Sequence, residues 1–137
     1  MIELGYTTSY IGKYPTYKTS GAACFDIPVP FDFTIESHSG MTISLNIGFS
    51  IPKGYCLQVY PRSSTFNRGF ICPVSIIDSD YTKYIHMQLY NYTDKQLKVE
   101  AGEHIVQAKL VAVHPTKLIR YEQLDQTGRG GLGSTGL

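Results

Sequence analysis

A chain of 137 residues, 42% of them apolar, is long enough for one domain with a real core. Its 12 Lys and Arg against 11 Asp and Glu leave a formal net charge of +1, which gives no electrostatic basis for binding long nucleic acid or an anionic membrane. No apolar run approaches the roughly 18 residues of a membrane span, and the N-terminus lacks the basic start and apolar stretch of a signal peptide. Cys24, Cys56 and Cys72 are odd in number and far apart, as expected of reduced cysteines in a cytoplasmic protein. His38, His86, His104 and His114 show no metal-ligand spacing.

The first chemistry-bearing segment is Thr19-Ser-Gly-Ala-Ala-Cys-Phe-Asp26-Ile27. A carboxylate between apolar residues is costly to bury without a partner, although taken by itself a turn or cap Asp is the favoured reading. Residues 41–51 then alternate: every odd position is apolar and every even one polar or Gly, which predicts a strand with one buried face. After a Pro52-Lys-Gly54 turn, Tyr55, Leu57 and Val59 resume the alternation until Pro61, so residues 41–60 read as a hairpin. Tyr60-Pro61-Arg62-Ser63-Ser64-Thr65 follows directly. An arginine and consecutive hydroxyls in a turn, or at a helix start, suit an anion; a Ser-rich helix cap is the competing reading.

In Val74-Ser-Ile-Ile-Asp78-Ser-Asp80-Tyr81 the two carboxylates share a face if the stretch is extended. One of them could hold a water by its proton while Tyr81 packs a sugar ring; a polar turn between strands is the alternative. A calcium loop is rejected, because Lys83 stands at its sixth position and Leu89 at its twelfth. Residues 84–92 and 97–99 read as strands joined by a Thr93-Asp-Lys95 turn, Ala101-Gly102-Glu103 as another turn, and residues 105–113 as a strand carrying Gln107. Seven prolines, 13 glycines and 11 tyrosines leave little room for long helices, so the expected class is all-β with many short strands.

The tail from Gln126 to Gly136 is glycine-rich. Glycine lets the backbone curl round a ligand, and successive N–H groups make an anion-binding concavity. Arg129, Ser134 and Thr135 add a cationic fork and hydroxyl donors, so the tail reads as a strap over a polyphosphate; a disordered terminus is the plain alternative. Gly128 to Gly133 spells G-x-G-x-x-G, but only four residues follow it, which excludes a dinucleotide-binding unit. Without G-K-[ST] it is no Walker loop either.

Taken in order, these segments resemble the five motifs of the trimeric dUTP pyrophosphatase (dUTPase) family, from about residue 19 to the C-terminus. Asp26 matches the first motif, Pro61-Arg62-Ser63-Ser64 the second and Ile77-Asp78-Ser79-Asp80-Tyr81 the third. Gly102 to Gln107 matches the fourth, and Gly130-Gly-Leu-Gly-Ser-Thr-Gly136 the fifth. The resemblance implies a jelly-roll-like β domain over residues 1–125 and a flexible phosphate-binding tail over 126–137. It also implies a homotrimer with shared active sites and Mg²⁺-dependent hydrolysis of dUTP to dUMP and pyrophosphate. Asp78 is the implied catalytic residue, orienting and deprotonating the attacking water, with Asp26 an indirect Mg²⁺ partner through water. Arg62, Ser63, Ser64 and Gln107 would hold phosphate oxygens. Tyr81 would stack under the deoxyribose, and Cys72, Ile76, Ile77 and His86 would line the base. The tail, lent by a neighbouring subunit, would bring Arg129, Leu132, Gly133, Ser134 and Thr135 over the nucleotide.

Departures from the family pattern are Cys24 for Gly in the first motif, which bears on packing only, Cys72 for an Asn that contacts uracil, Ser75 for Gly, Thr82-Lys83 for Arg-Gly, and Leu132 for a base-capping Phe. Arg129 lies two residues later than usual. Such divergence fits a virus-encoded member acting in its host's cytoplasm. Among rivals, the related dCTP deaminase needs a proton-moving Glu where this chain has Gln88, and its His-x-Ile-Asp-Pro-Gly run is absent. A pyrophosphatase for a modified dUTP stays open, as does a catalytically weak, nucleotide-responsive regulator whose protein partner would dock on a surface the sequence does not locate.

Overall fold

The structure, a computed structural model, describes residues 1–131 and 136. The all-β class expected from the sequence is seen as eleven strands, with no helix among the described residues; β1, β2, β3, β7 and β8 lie outside the stretches that the sequence marked as strands. In chain order they are β1 (Gly5–Thr8), β2 (Phe25–Pro28), β3 (Phe33–Ile35), β4 (Gly40–Ser44), β5 (Ile47–Ser50), β6 (Tyr55–Pro61), β7 (Phe70–Ile71), β8 (Ser75–Ile77), β9 (His86–Asn91), β10 (Leu97–Val99) and β11 (His104–Ala112). They form sheets ordered β2-β11-β6-β8, β4-β9-β7, β1-β5 and β10-β3. Every pairing is antiparallel.

The inward faces of these strands make one apolar core that includes Ile27, Leu45, Ile47, Leu57, Phe70, Val99 and Val106. β9 shows the period plainly: Met87, Leu89 and Asn91 point inward, and His86, Gln88 and Tyr90 outward. Buried Asn91 has no unmet hydrogen-bonding group. Its amide donates to the Ile35 and Lys95 carbonyls and its oxygen accepts from Thr93 N and Oγ1, as a buried polar side chain must.

Two expectations need correction. Residues 41–51 are two strands, β4 and β5, broken at Leu45-Asn46, where Asn46 takes a positive φ of 53° that its short polar side chain tolerates. Residues 41–60 are also not a hairpin. β4 pairs with β9, β5 with β1, and β6 with β11 and β8. The Pro52–Gly54 turn, closed by the Tyr55 N–H on the Pro52 carbonyl (3.1 Å) with Gly54 at φ 92°, passes the chain from one sheet to another. Alternation specifies which side of a strand is buried, not which strand lies beside it. For the same reason β10 pairs with β3 and not with β9.

The four-stranded sheet positions the chemistry. Gln107 on β11 lies opposite Asp26 on one side and Tyr60 on the other. On the far side of β6, Ile77 lies opposite Leu57 and Ser75 opposite Val59. Arg62 therefore follows one end of β6, while Asp78 lies level with its opposite end. Six residues of extended chain separate these levels by roughly 20 Å.

Candidate active site

Beside β8, a cavity of about 360 Å³ is lined by Ser75, Ile76, Ile77, Asp78 and Tyr81, and by Thr42, Ile85, His86 and Gln88 from β4, β9 and the residue before β9. The loop that presents Asp78 is closed by the Tyr81 N–H donating to the Asp78 carbonyl (3.1 Å). The Tyr81 hydroxyl donates to the Tyr84 carbonyl (2.8 Å), which fixes the ring. The Asp78 carboxylate is exposed and makes no ion pair among the described residues, so it is free to work on solvent.

At the other end of β6, a second cavity of about 210 Å³ is lined by Lys18, Thr19, Ala22, Cys24, Asp26, Arg62, Ser63 and Gln107. Asp26 is only 6% exposed, and its partner is found: Arg62 Nε lies 2.9 Å from its Oδ1. Arg62 Nη1 donates to the His104 carbonyl (3.2 Å), and His104 Nδ1 lies 3.8 Å from the other Asp26 oxygen. Breaking such a buried pair by removing one partner costs about 3–5 kcal/mol, because the remaining charge is stranded. Gln107 Nε2 donates to the Pro61 carbonyl (3.1 Å) and so braces the turn from its start.

The Arg-Ser-Ser turn is a run of turns and not a helix. Buried Thr65 holds it. Its Oγ1 accepts from the Arg62 N–H (3.1 Å) and donates to the Ile105 carbonyl (2.6 Å), and its own N–H donates to the Arg62 carbonyl (3.1 Å). Thr65→Val keeps the volume and removes the hydroxyl. We expect a stability loss of about 1–3 kcal/mol, read as a lower urea midpoint, as the Arg62–Thr65 turn loses its hold.

The sequence-selected residues thus divide between two cavities that share none. Asp78, Tyr81, Ile76, Ile77 and His86 line one; Asp26, Arg62, Ser63 and Gln107 line the other. Ser64 is exposed on the same turn but lines neither. Cys72 lines neither of these two cavities; it is partly buried against the core, where burial pushes its thiol up to about 11. It is therefore un-ionised at neutral pH and a poor nucleophile. Arg129 is exposed and lines neither cavity, while Leu132, Gly133, Ser134 and Thr135 lie outside the described residues. Sequence reasoning missed Lys18 and Thr42 and gave Thr19 and Thr65 no role of their own. The Thr16–Asp26 bridge lays Lys18 and Thr19 along the second cavity, the β4–β9 register brings Thr42 to the first, and the bonds to Arg62 and Ile105 set Thr65 beneath the turn.

A family model described as dUTPase matches residues 11–136. The chain belongs to the dUTPase family. It is similar to the deoxyuridine 5'-triphosphate nucleotidohydrolase of Helicobacter pylori strain P12, with 35% identity over 128 residues covering 90% of this chain and 88% of that protein. It is also similar to the Dictyoglomus turgidum protein of the same description, with 37% identity over 134 residues and 90% of each chain covered. Among solved structures, the Staphylococcus bacteriophage 80alpha dUTPase with dUPNHPP superposes with a TM-score of 0.89 over 100% of both chains, at 19% identity. That likeness establishes the all-β dUTPase fold. In this dUTPase-family chain, the third motif occupies one cleft, and the first, second and fourth motifs the other.

Proposed function

We propose that this protein is a dUTP pyrophosphatase, hydrolysing dUTP to dUMP and pyrophosphate at sites that two or more copies of the chain build together. One observation carries the reading. A cleft suited to a nucleoside and a cleft suited to polyphosphate stand at opposite ends of β6, roughly 20 Å apart, too far to serve one nucleotide within one chain. A homotrimer that sets the Asp78 cleft of one copy against the Arg62 cleft of the next closes the gap. Exposed apolar side chains support such assembly. Ile71 (50%), Val74 (54%) and Ile76 (64%) lie near the first cleft, and Leu118 (93%), Ile119 (63%) and Leu124 (76%) in the strandless stretch after β11.

In the joined site Ile76 and Ile77 wall the base and Tyr81 lies against the deoxyribose. Asp78 takes a proton from a water as that water's oxygen bonds to the α-phosphorus, and the bond from that phosphorus to the bridging oxygen breaks, releasing pyrophosphate. Arg62, Ser63 and Gln107 hold phosphate oxygens, with Ser64 at the rim of the turn. Most of the rate gain comes from positioning and charge stabilisation. Among the described residues no three His, Cys, Asp or Glu side chains gather as a metal cage, and Asp26 is engaged by Arg62. That donor set fits a Mg²⁺ held chiefly by phosphates and water, with Asp26 an indirect partner; when bound, it supplies neutralisation of the phosphate charge. In a relative of this fold, a mutant dUTPase from phage phi11 of S. aureus, coordination of a structural Mg(II) ion is described. The tail, residues 126–137, forms a separate strap that closes over the phosphates from a neighbouring copy. The expected setting is the cytoplasm; no helix among the described residues is long and apolar enough to cross a membrane.

The test is pyrophosphate release by the purified protein with Mg²⁺ from dUTP, dTTP, dCTP, UTP and hydroxymethyl-dUTP. Selective release from dUTP is expected. Preference for hydroxymethyl-dUTP would reassign the base pocket, whose wall carries the polar Thr42, His86 and Gln88. Binding without release from any nucleotide would replace the enzyme by a nucleotide-responsive regulator.

A further inference from the structure

We infer that Lys18 is a phosphate-binding residue of this site, supplying the net positive charge of the polyphosphate cleft; the inference rests on the nucleotide reading above. The cleft holds two cations and one anion, Lys18, Arg62 and Asp26. Arg62 has Nη2 left for a phosphate oxygen, but its Nε is paired with Asp26 at 2.9 Å and its Nη1 with a backbone carbonyl. The Arg62 and Asp26 charges offset each other, so the pair adds little net field for a ligand bearing several negative charges. Lys18 lines the same cavity and makes no ion pair among the described residues.

Its placement is built by the backbone. Two residues before it, Thr16 exchanges both hydrogen bonds with Asp26, N–H to carbonyl at 3.1 Å and carbonyl to N–H at 2.8 Å. That bridge lays the Lys18 loop along the Asp26 strand, and the Ala22 N–H on the Thr19 carbonyl (3.2 Å) closes the loop just beyond. An ammonium on a flexible four-carbon stem suits phosphate as a point charge. Asp78 works at the α-phosphorus from the other cleft, so Lys18 faces the phosphates beyond it. It is part of the folded domain, unlike the tail arginine.

The test measures binding of the non-hydrolysable imido analogue of dUTP, with Mg²⁺, and of dUMP to the full-length protein, Lys18→Met and Lys18→Arg. Lys18→Met is expected to weaken the analogue about tenfold, the worth of one hydrogen bond to a charged group. It should leave dUMP within about twofold, and the loss should shrink as salt rises. Lys18→Arg should retain most of the affinity. An unchanged analogue affinity in Lys18→Met, an equal loss for dUMP, or an equal loss in Lys18→Arg would each overturn the assignment. Wild-type protein that binds neither ligand would instead overturn the nucleotide reading, and the inference with it.

Discussion

Asp78→Asn is expected to lower kcat by about 10²–10⁴-fold while the imido analogue of dUTP binds within about threefold of wild type. Asparagine matches aspartate in shape and still accepts a hydrogen bond from water, but it cannot take up the proton that the attacking water must lose. The substitution leaves the fold intact for a visible reason. The Asp78 side chain is exposed and unpaired among the described residues, and its structural bond, accepted from Tyr81, uses the backbone carbonyl. The thermal midpoint should therefore stay put, and the loss should lie in kcat and not in KM. Single-turnover kinetics with dUTP check the split. Residual turnover of tens of per cent would mean that another group carries the proton.

The second large effect is expected from removing residues 126–137. Activity should fall about 10²–10³-fold, the scale of losing one set of transition-state charge donors. Stability should not change measurably. Residues 126–131 are exposed, and Asp125 accepts from the Thr127 N–H (2.9 Å) and hydroxyl (2.8 Å), bonds that also hold its carboxyl below its ordinary range. None of residues 126–131 belongs to the buried core. Arg129→Ala alone should reproduce part of the loss. A truncated protein with full activity would show that the glycine-rich end is a passive terminus.

How far the sequence could be read depends on what each feature reports. Asp26 read by itself as a turn or cap residue; the structure instead buries it against Arg62, the partner that a carboxylate between apolar residues needs. The strand face of β9 is plain, alternating inward and outward residue by residue, whereas β11 buries the neighbours Ile105 and Val106 together beside a bulge. Pairing was not plain. Nothing in residues 41–60 says that β4, β5 and β6 go to three different sheets, because partner choice is set by long-range packing. Gln107 gained meaning only from the register that puts it opposite Asp26. Lys18 looked like any loop lysine until the Thr16–Asp26 bridge placed it. Above all, motif order along the chain could not show that the third motif and the second stand at opposite ends of one strand.

That separation is the centre of the account, and subunit complementation tests it directly. One parent is Asp78→Asn. The other is the double variant Asp26→Asn with Arg62→Gln, which removes both buried charges together so that neither is stranded. Each parent alone should be nearly inactive. After mixing, with subunit exchange confirmed by mass, the account predicts about a quarter of wild-type activity, the share of sites that random assembly into a closed ring of three completes. Activity that stays at the parental level in demonstrably mixed assemblies would contradict it, placing Asp78 and Arg62 in the service of a site within a single chain.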